Sequence, residues 1–327
     1  ILTVVWRFIG INWDNYGFSH PDELFVRDIT AHIGDDEFEL ASVKDRCKDD
    51  PNPDGYFNTP CTTMNPNNVN EGNFSYGTLP IFMVRQVAII VADVVHNDIW
   101  REATSIHLVG RGVNIAAEVV SAFFIFLIGQ RLFGRREGVF AALLYSSAAL
   151  PIQLSHFWTV DIISHMWFIM SLYFAVLISQ TGRTWTYLIF GIMLGAAVAS
   201  RANLLAGAIL APAAAVIYLN PPFARLLRLE ADERRRLLWG FGRAIGLLFL
   251  TAIVTFVTFR IAQPYAFAGP GFFDVIDRVD LREPPFIHLN WNQKWRADLK
   301  EVADFASKQT DGWPPSHQWV GRPSYLY

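Results

Sequence analysis

The amino-acid sequence predicts an all-α polytopic membrane protein, and three observations carry that prediction. Of its 327 residues, 52% are hydrophobic and only 17% are charged, whereas a soluble domain has about 25% charged residues. The mean hydropathy is positive, at +0.24. The chain also contains several apolar runs of roughly 17–25 residues, the length that crosses a bilayer as a helix. The formal net charge of −3 gives no electrostatic footprint for a nucleic-acid partner.

Seven apolar runs are predicted to span the lipid bilayer, the first of them incomplete. They lie at about 1–11, 106–129, 138–154, 162–180, 184–200, 203–219 and 240–262. Together they make a transmembrane module over residues 1–262, with a long first external loop at about 12–105. Residues 263–327 are predicted to form an external, aromatic-rich loop. Because the chain opens inside an apolar run without an initiator Met, we expect a fragment that is truncated at both ends.

The placement of basic residues predicts the orientation, since cytoplasmic loops carry an excess of lysine and arginine. Arginines fall in alternate loops, at Arg131, Arg135, Arg136, Arg183, Arg225, Arg228, Arg234, Arg235 and Arg236. The opposite side receives the acid-rich first loop, two short turns and the C-terminal tail. We therefore expect a multi-pass protein of the plasma membrane, as in a bacterial inner membrane, with the first loop and the tail external.

The first external loop contains two distinct segments. Residues 79–99 are apolar but carry Arg85, Gln86, Asp93, His96 and Asp98, so we expect an amphipathic helix that lies in the membrane interface and is too polar to span. Residues 44–74 are rich in Pro, Asn and Asp and predict an irregular surface insertion. This insertion holds both cysteines, Cys47 and Cys61. Outside the cytoplasm they predict a structural disulfide, and two free thiols are the alternative.

The first candidate site is the acid pair Asp22 and Glu23, directly after the first apolar run. Ser19 and Pro21 predict a helix start, with both carboxylates in the first turn. Acids in a first turn complement the helix dipole, so a structural role is one interpretation. A catalytic carboxylate at the membrane surface is the other.

A second polar segment, residues 155–161, lies on the same predicted side between two spans. It contains His156 and Asp161. Taken singly, Asp161 could cap a helix and His156 could sit at the membrane interface. Because His156 and Asp161 are predicted to lie on the same side of the membrane as Asp22 and Glu23, a functional role for them is favoured.

Arginines near the external span ends form a third group. Arg201 lies at the junction of two short apolar spans, where an arginine is costly unless it snorkels or meets an anion. A guanidinium suits phosphate geometry, so Arg201 is a candidate phosphate ligand that Arg111 and Arg260 could join. Glu118 lies deeper in the second span. The sequence leaves two alternatives for it: its carboxylate pairs with a basic group, or it faces a polar cavity.

Four motifs occur in a familiar order: His-Pro-Asp-Glu at 20–23, Tyr-Gly-Thr-Leu-Pro at 76–80, Arg-Leu-Phe-Gly-Arg-Arg at 131–136 and Ser-His-Phe-Trp-Thr-Val-Asp at 155–161. With them the chain resembles the membrane-embedded GT-C glycosyltransferases, specifically the bacterial protein-mannosyltransferase-like branch, the phospholipid-carrier-dependent glycosyltransferases. The resemblance spans nearly the whole chain and implies a GT-C-like transmembrane helix bundle. The family has further spans after the seventh, which this chain lacks.

The resemblance implies an enzyme that takes a sugar from a polyprenyl-phosphate carrier at the outer face of the membrane. It implies that the essential acid of the first loop is Asp22 or its neighbour Glu23, acting as general base. The residues then expected to bind substrate are Tyr76, His156, Asp161, Arg201 and Arg260. For His156 and Asp161 the alternative is that they hold the first-loop carboxylate. The acceptor is left open between protein, lipid and glycan.

Neither a metal requirement nor catalysis itself follows from the sequence alone. Some relatives use a divalent metal such as Mg²⁺ or Mn²⁺ and others do not; the candidate ligands are Asp22, Glu23 and Asp161. The main alternative function is a non-catalytic subunit of a larger membrane complex that keeps the fold. A transporter is a third class, but it should carry ionisable residues near the midplane of matched halves. Here the polar residues cluster mainly at one external face.

The tail after Gln263 is aromatic and polar. It contains Trp291, Trp295, Trp313, His317, Gln318, Trp319 and Arg322. Two interpretations of this tail remain: it is a loop that lies on the lipid headgroups, or it is a surface that binds sugar or peptide acceptors. In the resembled family a late external loop borders the site, which favours contact with substrate.

Overall fold

The computed structural model describes residues 2–15, 20–70, 72, 74–220, 231–269 and 290–307. Within these ranges the regular structure is helical, apart from one isolated antiparallel bridge between Phe267 and Trp291. The prediction of an all-α polytopic membrane protein is confirmed. Some residues of the sequence predictions lie outside the described residues, namely Ser19, Arg225, Arg228, Trp313, His317, Gln318, Trp319 and Arg322.

The described residues form thirteen α-helices and four short 3-10 helices. The α-helices are α1 (Leu2–Phe8), α2 (Pro21–His32), α3 (Ala41–Cys47), α4 (Pro66–Val69), α5 (Thr78–Val95), α6 (Ile106–Leu132), α7 (Arg135–Ser147), α8 (Ala149–Ser155), α9 (Asp161–Thr181), α10 (Thr184–Ser200), α11 (Leu210–Leu219), α12 (Ala231–Ala262) and α13 (Gln293–Ser307). The 3-10 helices are Asp36–Phe38, Asp98–Arg101, Ala202–Ile209 and Pro264–Ala266.

Five helical segments of the described chain are long and apolar enough to cross a membrane. They are Thr78–Val95, Ile106–Leu132, Asp161–Thr181, Ala202–Leu219 and Leu237–Ala262. Helices α7 and α8 bend by 55° and make a sixth candidate when taken as one broken span, and α10 is apolar but shorter. Each predicted span between residues 106 and 262 therefore coincides with an apolar helix or helix pair.

Helix α5 corrects one prediction from the sequence. The expectation that residues 79–99 are too polar to span is wrong, because α5 reaches a mean hydropathy of 1.8 over 18 residues. Its only charged residues are Arg85 and Asp93, and the helix ends at Val95, so that His96 lies beyond it. The position of α5 in the membrane interface stays a prediction.

The helix bundle has two distinct ends. At one end, the side chain of Gln180 donates to the carbonyl of Arg131 (3.2 Å) and Arg243 donates to the carbonyl of Gly182 (3.4 Å). The described loops at Arg131 and Gly182 and the first half of α12 therefore meet at one end, which we call the basic end. Residues 20–23, 74–78 and 155–161 meet at the other, which we call the site end. The compartment that each end faces stays a prediction.

Small residues allow the central helices to approach closely. A Cβ at Gly191 of α10 would lie 2.9 Å from the carbonyl oxygen of Thr251 on α12, and one at Gly195 would lie 2.7 Å from that of Thr255. Glycines spaced four apart let helix backbones pack in a membrane, where no hydrophobic force drives association. This contact fixes the last turn of α10, and with it the position of Arg201.

The first loop is folded onto the bundle at the site end. Val26 and Ile29 of α2 belong to the same buried cluster as Ile81 of α5, Ile106 of α6 and Trp158. Burying each of these large side chains contributes about 1.5–3 kcal/mol, so α2 is held firmly.

A disulfide closes the surface insertion of the first loop. Cys47 and Cys61 are bridged, with their Cα atoms 5.6 Å apart, which confirms that pairing over the alternative of two free thiols. Between the end of α3 and the short helix α4 the insertion consists of turns and bends, as expected for an irregular surface segment, and the bridge joins two points of it.

The start of α5 and the end of α12 are also joined at the site end. The backbone N–H of Thr78 donates to Oε1 of Gln263 (2.5 Å), and its hydroxyl donates to the carbonyl of Ala262 (2.8 Å). The C-terminal segment that follows α12 therefore lies next to the first loop.

Candidate functional site

A buried arginine organises the acidic corner of the first loop. Arg111 of α6 donates through Nε and Nη2 to the two carboxylate oxygens of Glu23, at 2.8 Å each. Its Nη1 and Nη2 reach Asp14 at 3.0 and 2.9 Å, and Nη1 also reaches the carbonyl of Ile11 at 2.8 Å. These contacts use all five N–H groups of a guanidinium. Arg111 is therefore a bridge between carboxylates, and the expectation that it joins a phosphate site is wrong.

Glu23 is fully buried by this arrangement. Its side chain has 0% exposure, and Oε1 also accepts from the backbone N–H of Trp158 at 2.7 Å. Both oxygens of Glu23 are thus committed, to Arg111 and to the 155–161 turn. A carboxylate held in this way fixes the position of the residue before it, Asp22, which is half-buried in the first turn of α2.

The 155–161 turn is held against α6 at two further points. The indole of Trp158 lies over Gly110, where a Cβ would come within 2.4 Å of the ring. The amide of Asn114 donates to the carbonyl of Phe157 at 2.8 Å. Because both partners are on α6, the turn is fixed relative to Arg111, and Asp161 is presented at the first residue of α9.

Four polar side chains meet outside this buried corner, and we call them the open cluster: Asp22, Tyr76, Asp161 and Arg201. Arg201 donates to Asp161 in an ion pair whose side chains are 43% and 28% exposed. The side chain of Tyr76 lies close enough to Asp22 for the two to interact electrostatically. Burial raises the pKa of Tyr76 most, Asp22 and Asp161 raise it further, and Arg201 opposes them. The hydroxyl of Tyr76 therefore interacts electrostatically with all three charged groups of the open cluster.

Gly77 allows Tyr76 to join the open cluster. Its N–H donates to the carbonyl of Ser200 at 3.1 Å, next to Arg201. A Cβ on Gly77 would lie 1.9 Å from the carbonyl oxygen of Ala199, so glycine is the only residue that fits. The close approach of two backbones places Tyr76 beside the end of α10.

Substituting Gly77→Ala is expected to lower the thermal stability of the purified protein, because the new methyl group overlaps a backbone oxygen that cannot move alone. Overpacking of this kind costs about 1–3 kcal/mol. Gly112→Ala is the matched control, since a Cβ there meets nothing within 4 Å and alanine favours a helix. Equal melting temperatures of the two variants in detergent would contradict the packing described here.

Two residues predicted to bind substrate have other described contacts. The ring nitrogens of His156 lie 2.7 Å from the carbonyl of Ile152 and 2.9 Å from that of Ile9, so His156 ties α8 to the end of α1. Arg260 is only 3% exposed and lies against the rings of Phe57 and Phe267, at 4.8 and 4.6 Å. The described contacts of both residues are therefore structural, because backbone and aromatic groups occupy them.

Glu118 has a basic partner within the bundle, which settles the choice left open by the sequence. It pairs with Arg7 of α1 at 2.8 Å, and both side chains have 0% exposure. The hydroxyl of Tyr145 donates to the same carboxylate at 3.0 Å. Sequence reasoning missed Arg7 and Asp14 as members of buried ion pairs; an arginine inside an apolar run was the available signal.

The metal candidates are not gathered into one set. Among the residues that the structure describes, no group of three or more His, Cys, Asp or Glu side chains is arranged to hold a metal. Glu23 is engaged by Arg111 and Asp161 by Arg201, which leaves Asp22 with its contact to Tyr76. A metal requirement stays an untested expectation.

Comparison with known proteins supports the resemblance over part of the chain. Residues 104–230 match the family model described as dolichyl-phosphate-mannose-protein mannosyltransferase. No curated protein and no solved structure matches the chain significantly. The matched segment runs from the start of α6 past the end of α11 and includes Arg111, Asp161 and Arg201, whereas Asp22 and Tyr76 precede it. The match indicates a glycosyltransferase of the GT-C type.

Proposed function

We propose that this chain, part of which matches a protein-mannosyltransferase family, transfers a sugar from a polyprenyl-phosphate carrier to an acceptor at the outer face of the membrane. The single observation that carries this proposal is the open cluster. It combines an accessible carboxylate, Asp22, with an accessible cation, Arg201, at one end of a membrane bundle. Transfer from a lipid phosphate needs these two groups, a base for the acceptor and a positive charge for the leaving phosphate.

Asp22 is the better candidate for the base than Glu23. A general base must lie within hydrogen-bond reach of the proton that it removes. Glu23 is fully buried, and Arg111 and the N–H of Trp158 occupy its oxygens. Asp22 is half-buried and lies near Tyr76, with which it interacts electrostatically. Tyr76 would then orient the carboxylate of Asp22 rather than bind the sugar itself.

The proposed reaction is a single displacement at the anomeric carbon. The acceptor hydroxyl oxygen forms the new bond to this carbon while its proton passes to the carboxylate of Asp22. The bond from the anomeric carbon to the phosphate oxygen breaks, and its electron pair leaves with the lipid phosphate. The departing group is already an anion, so it needs charge stabilisation more than a proton.

Arg201 is the proposed partner of the lipid phosphate. It is 43% exposed, which leaves donors of the guanidinium accessible, and a guanidinium matches two phosphate oxygens at once. Asp161 orients Arg201 from the first residue of α9. The exit of Arg201 from an apolar helix, α10, suits a ligand whose phosphate lies at the headgroup level while its lipid remains in the bilayer.

The Arg201→Gln variant tests this proposal, with the purified chain in nanodiscs and polyprenyl-phosphate-mannose as the probe. We expect it to bind the probe about tenfold to a hundredfold more weakly, since a charge-assisted hydrogen bond is lost. Arg183→Gln at the basic end is the matched control, because that arginine is also exposed at a helix boundary. Unchanged affinity in Arg201→Gln would refute the role of Arg201.

A transfer assay in membranes, with the same lipid-linked sugar, addresses the alternative of a non-catalytic subunit. Membranes that contain the chain supply their own acceptors, so transfer of labelled mannose into a product that organic solvent does not extract reports catalysis. An enzyme should raise this transfer above that of membranes without the chain. Tight binding of the probe with no transfer in any membrane preparation would favour an architectural or carrier-binding subunit.

A further inference from the structure

An open cavity lies at the site end, between the first-loop insertion and the segment that follows α12. None of its lining residues belongs to the open cluster. Its volume is about 790 Å³, within the usual range of roughly 300–1,000 Å³ for ligand pockets. It is bounded by the disulfide-bridged insertion on one side and by residues 268–269 and 290–294 on the other. Amide side chains dominate its lining, from Asn65, Asn67, Asn68, Asn290, Asn292 and Gln293.

The walls of the cavity are fixed before any ligand arrives. On one side the disulfide of Cys47 and Cys61 closes the insertion, and the carbonyl of Thr59 accepts from the side chains of Asn65 and Asn68 at 2.8 and 3.1 Å. The other side is a short backbone pairing. There the N–H of residue 268 donates to the carbonyl of residue 290 at 2.8 Å, and the N–H of residue 292 donates to that of residue 266 at 2.9 Å. A preformed cavity loses little conformational entropy on binding.

Two polar atoms of the lining point to a ligand with hydroxyl groups. Thr59 is only 4% exposed, yet its hydroxyl has no hydrogen-bond partner among the residues that the structure describes. The side-chain oxygen of Asn67 is buried and likewise has no partner in the described chain. A buried polar atom without a partner is unfavourable. Rotation of the Thr59 or Asn67 side chain toward the cavity would let a bound hydroxyl supply the partner, since neither atom is exposed to the cavity in this structure.

The remaining lining groups narrow the chemistry of that ligand. Arg46 and Lys294 bring positive charge, and no carboxylate belongs to the described lining. The indole of Trp291 is 37% exposed and is held in place by stacking on Phe267 (4.8 Å) and Trp295 (5.7 Å). An ordered indole edge, several amides and two cations suit a sugar that carries an acidic group.

We propose that this cavity binds an anionic saccharide. A sugar hydroxyl is a donor and an acceptor at once, like the amides that it would meet, and the two cations select an acidic substituent. The further identification of this saccharide as the acceptor rests on the proposed glycosyl transfer. Binding itself does not, because the cavity shares no residue with the open cluster.

The test is calorimetric titration of the full chain in nanodiscs with three probes: hexagalacturonate, maltohexaose and a hexaglutamate peptide. Hexagalacturonate should bind about tenfold more tightly than maltohexaose, which lacks the acidic groups, as expected for charge-assisted hydrogen bonds. Hexaglutamate should bind more weakly than hexagalacturonate. The proposal is overturned if hexagalacturonate does not bind, or if the acidic peptide binds equally well, in which case the cavity is a peptide site.

A pair of threonine variants separates ligand binding from folding. Thr59→Val removes a hydroxyl that has no described partner, so it should keep or raise the melting temperature and weaken hexagalacturonate binding about fivefold. The control, Thr62→Val, lies in the same insertion but outside the described lining. The hydroxyl of Thr62 accepts from the N–H of Met64, so this variant should lose stability and keep the affinity. Unchanged affinity in Thr59→Val would overturn the assignment.

The two proposals fail in different ways. Asp22→Asn should bind hexagalacturonate with the affinity of the unaltered chain, because Asp22 is not part of the lining. If Asp22→Asn kept full transfer while Thr59→Val lost saccharide binding, the proposed reaction would be wrong and the saccharide site would stand. If transfer depended on Asp22 and hexagalacturonate did not bind, the saccharide site would be wrong and the proposed reaction would stand.

Discussion

The Asp22→Asn variant is expected to lose glycosyl transfer by about 10²–10⁴-fold, the usual contribution of a general base. An asparagine keeps the shape of the side chain, but it cannot take a proton from an acceptor hydroxyl. Asp22 is half-buried and lies in the first turn of α2, so the fold should survive the change. Transfer of labelled mannose in membranes measures the loss, and probe binding in nanodiscs should be unaffected.

Asp28→Asn is the matched control for this experiment. It makes the same substitution on the same helix, six residues further along, at a side chain that is 46% exposed and paired with Arg27. The Arg27 side chain is only 14% exposed, so Asp28→Asn should cost some stability, up to about 3 kcal/mol for the lost hydrogen bonds to a charged group, but it should keep transfer. Full transfer by Asp22→Asn, or an equal loss in both variants, would remove Asp22 from the role of base.

The contrast between Asp22 and Glu23 shows where sequence reasoning stops. Two adjacent acids in a first turn are equivalent as a pattern, and the resemblance to a family allows either of them. Successive residues on a helix differ by about 100° in direction, so one of the two faces the bundle. Which one does so depends on Arg111, which is 88 residues away in the sequence. No local pattern carries that information.

Hydropathy alone located the helices well, because span length and apolar composition are local properties. It failed at α5, where five scattered polar residues made the run look interfacial, although only Arg85, Gln86 and Asp93 lie inside the helix. The disulfide followed from the cysteine count and the predicted compartment. The contacts of His156 and Arg260 within the protein did not follow, since they join residues far apart in the sequence.

Arg111→Lys is expected to lower the stability of the protein by about 3–5 kcal/mol, the cost of breaking a buried ion pair. A lysine has three donors on one atom and cannot reach Glu23, Asp14 and the carbonyl of Ile11 together, as the guanidinium does. At least one buried carboxylate would then lack its partner. A fall of about 10 °C in the melting temperature follows from the usual relation between stability and melting temperature, and thermal scanning in detergent measures it.

Arg201→Lys supplies the control, because it makes the same exchange at the same end of the bundle in an exposed pair. Arg111 has 0% side-chain exposure and Arg201 has 43%, so water can replace the contacts that a lysine loses at Arg201 but not those lost at Arg111. The melting temperature of Arg201→Lys should therefore change little, while its affinity for the lipid phosphate falls. A similar drop in stability in both variants would mean that the acidic corner is hydrated. In that case Glu23, no longer locked away from solvent, would compete with Asp22 for the role of base.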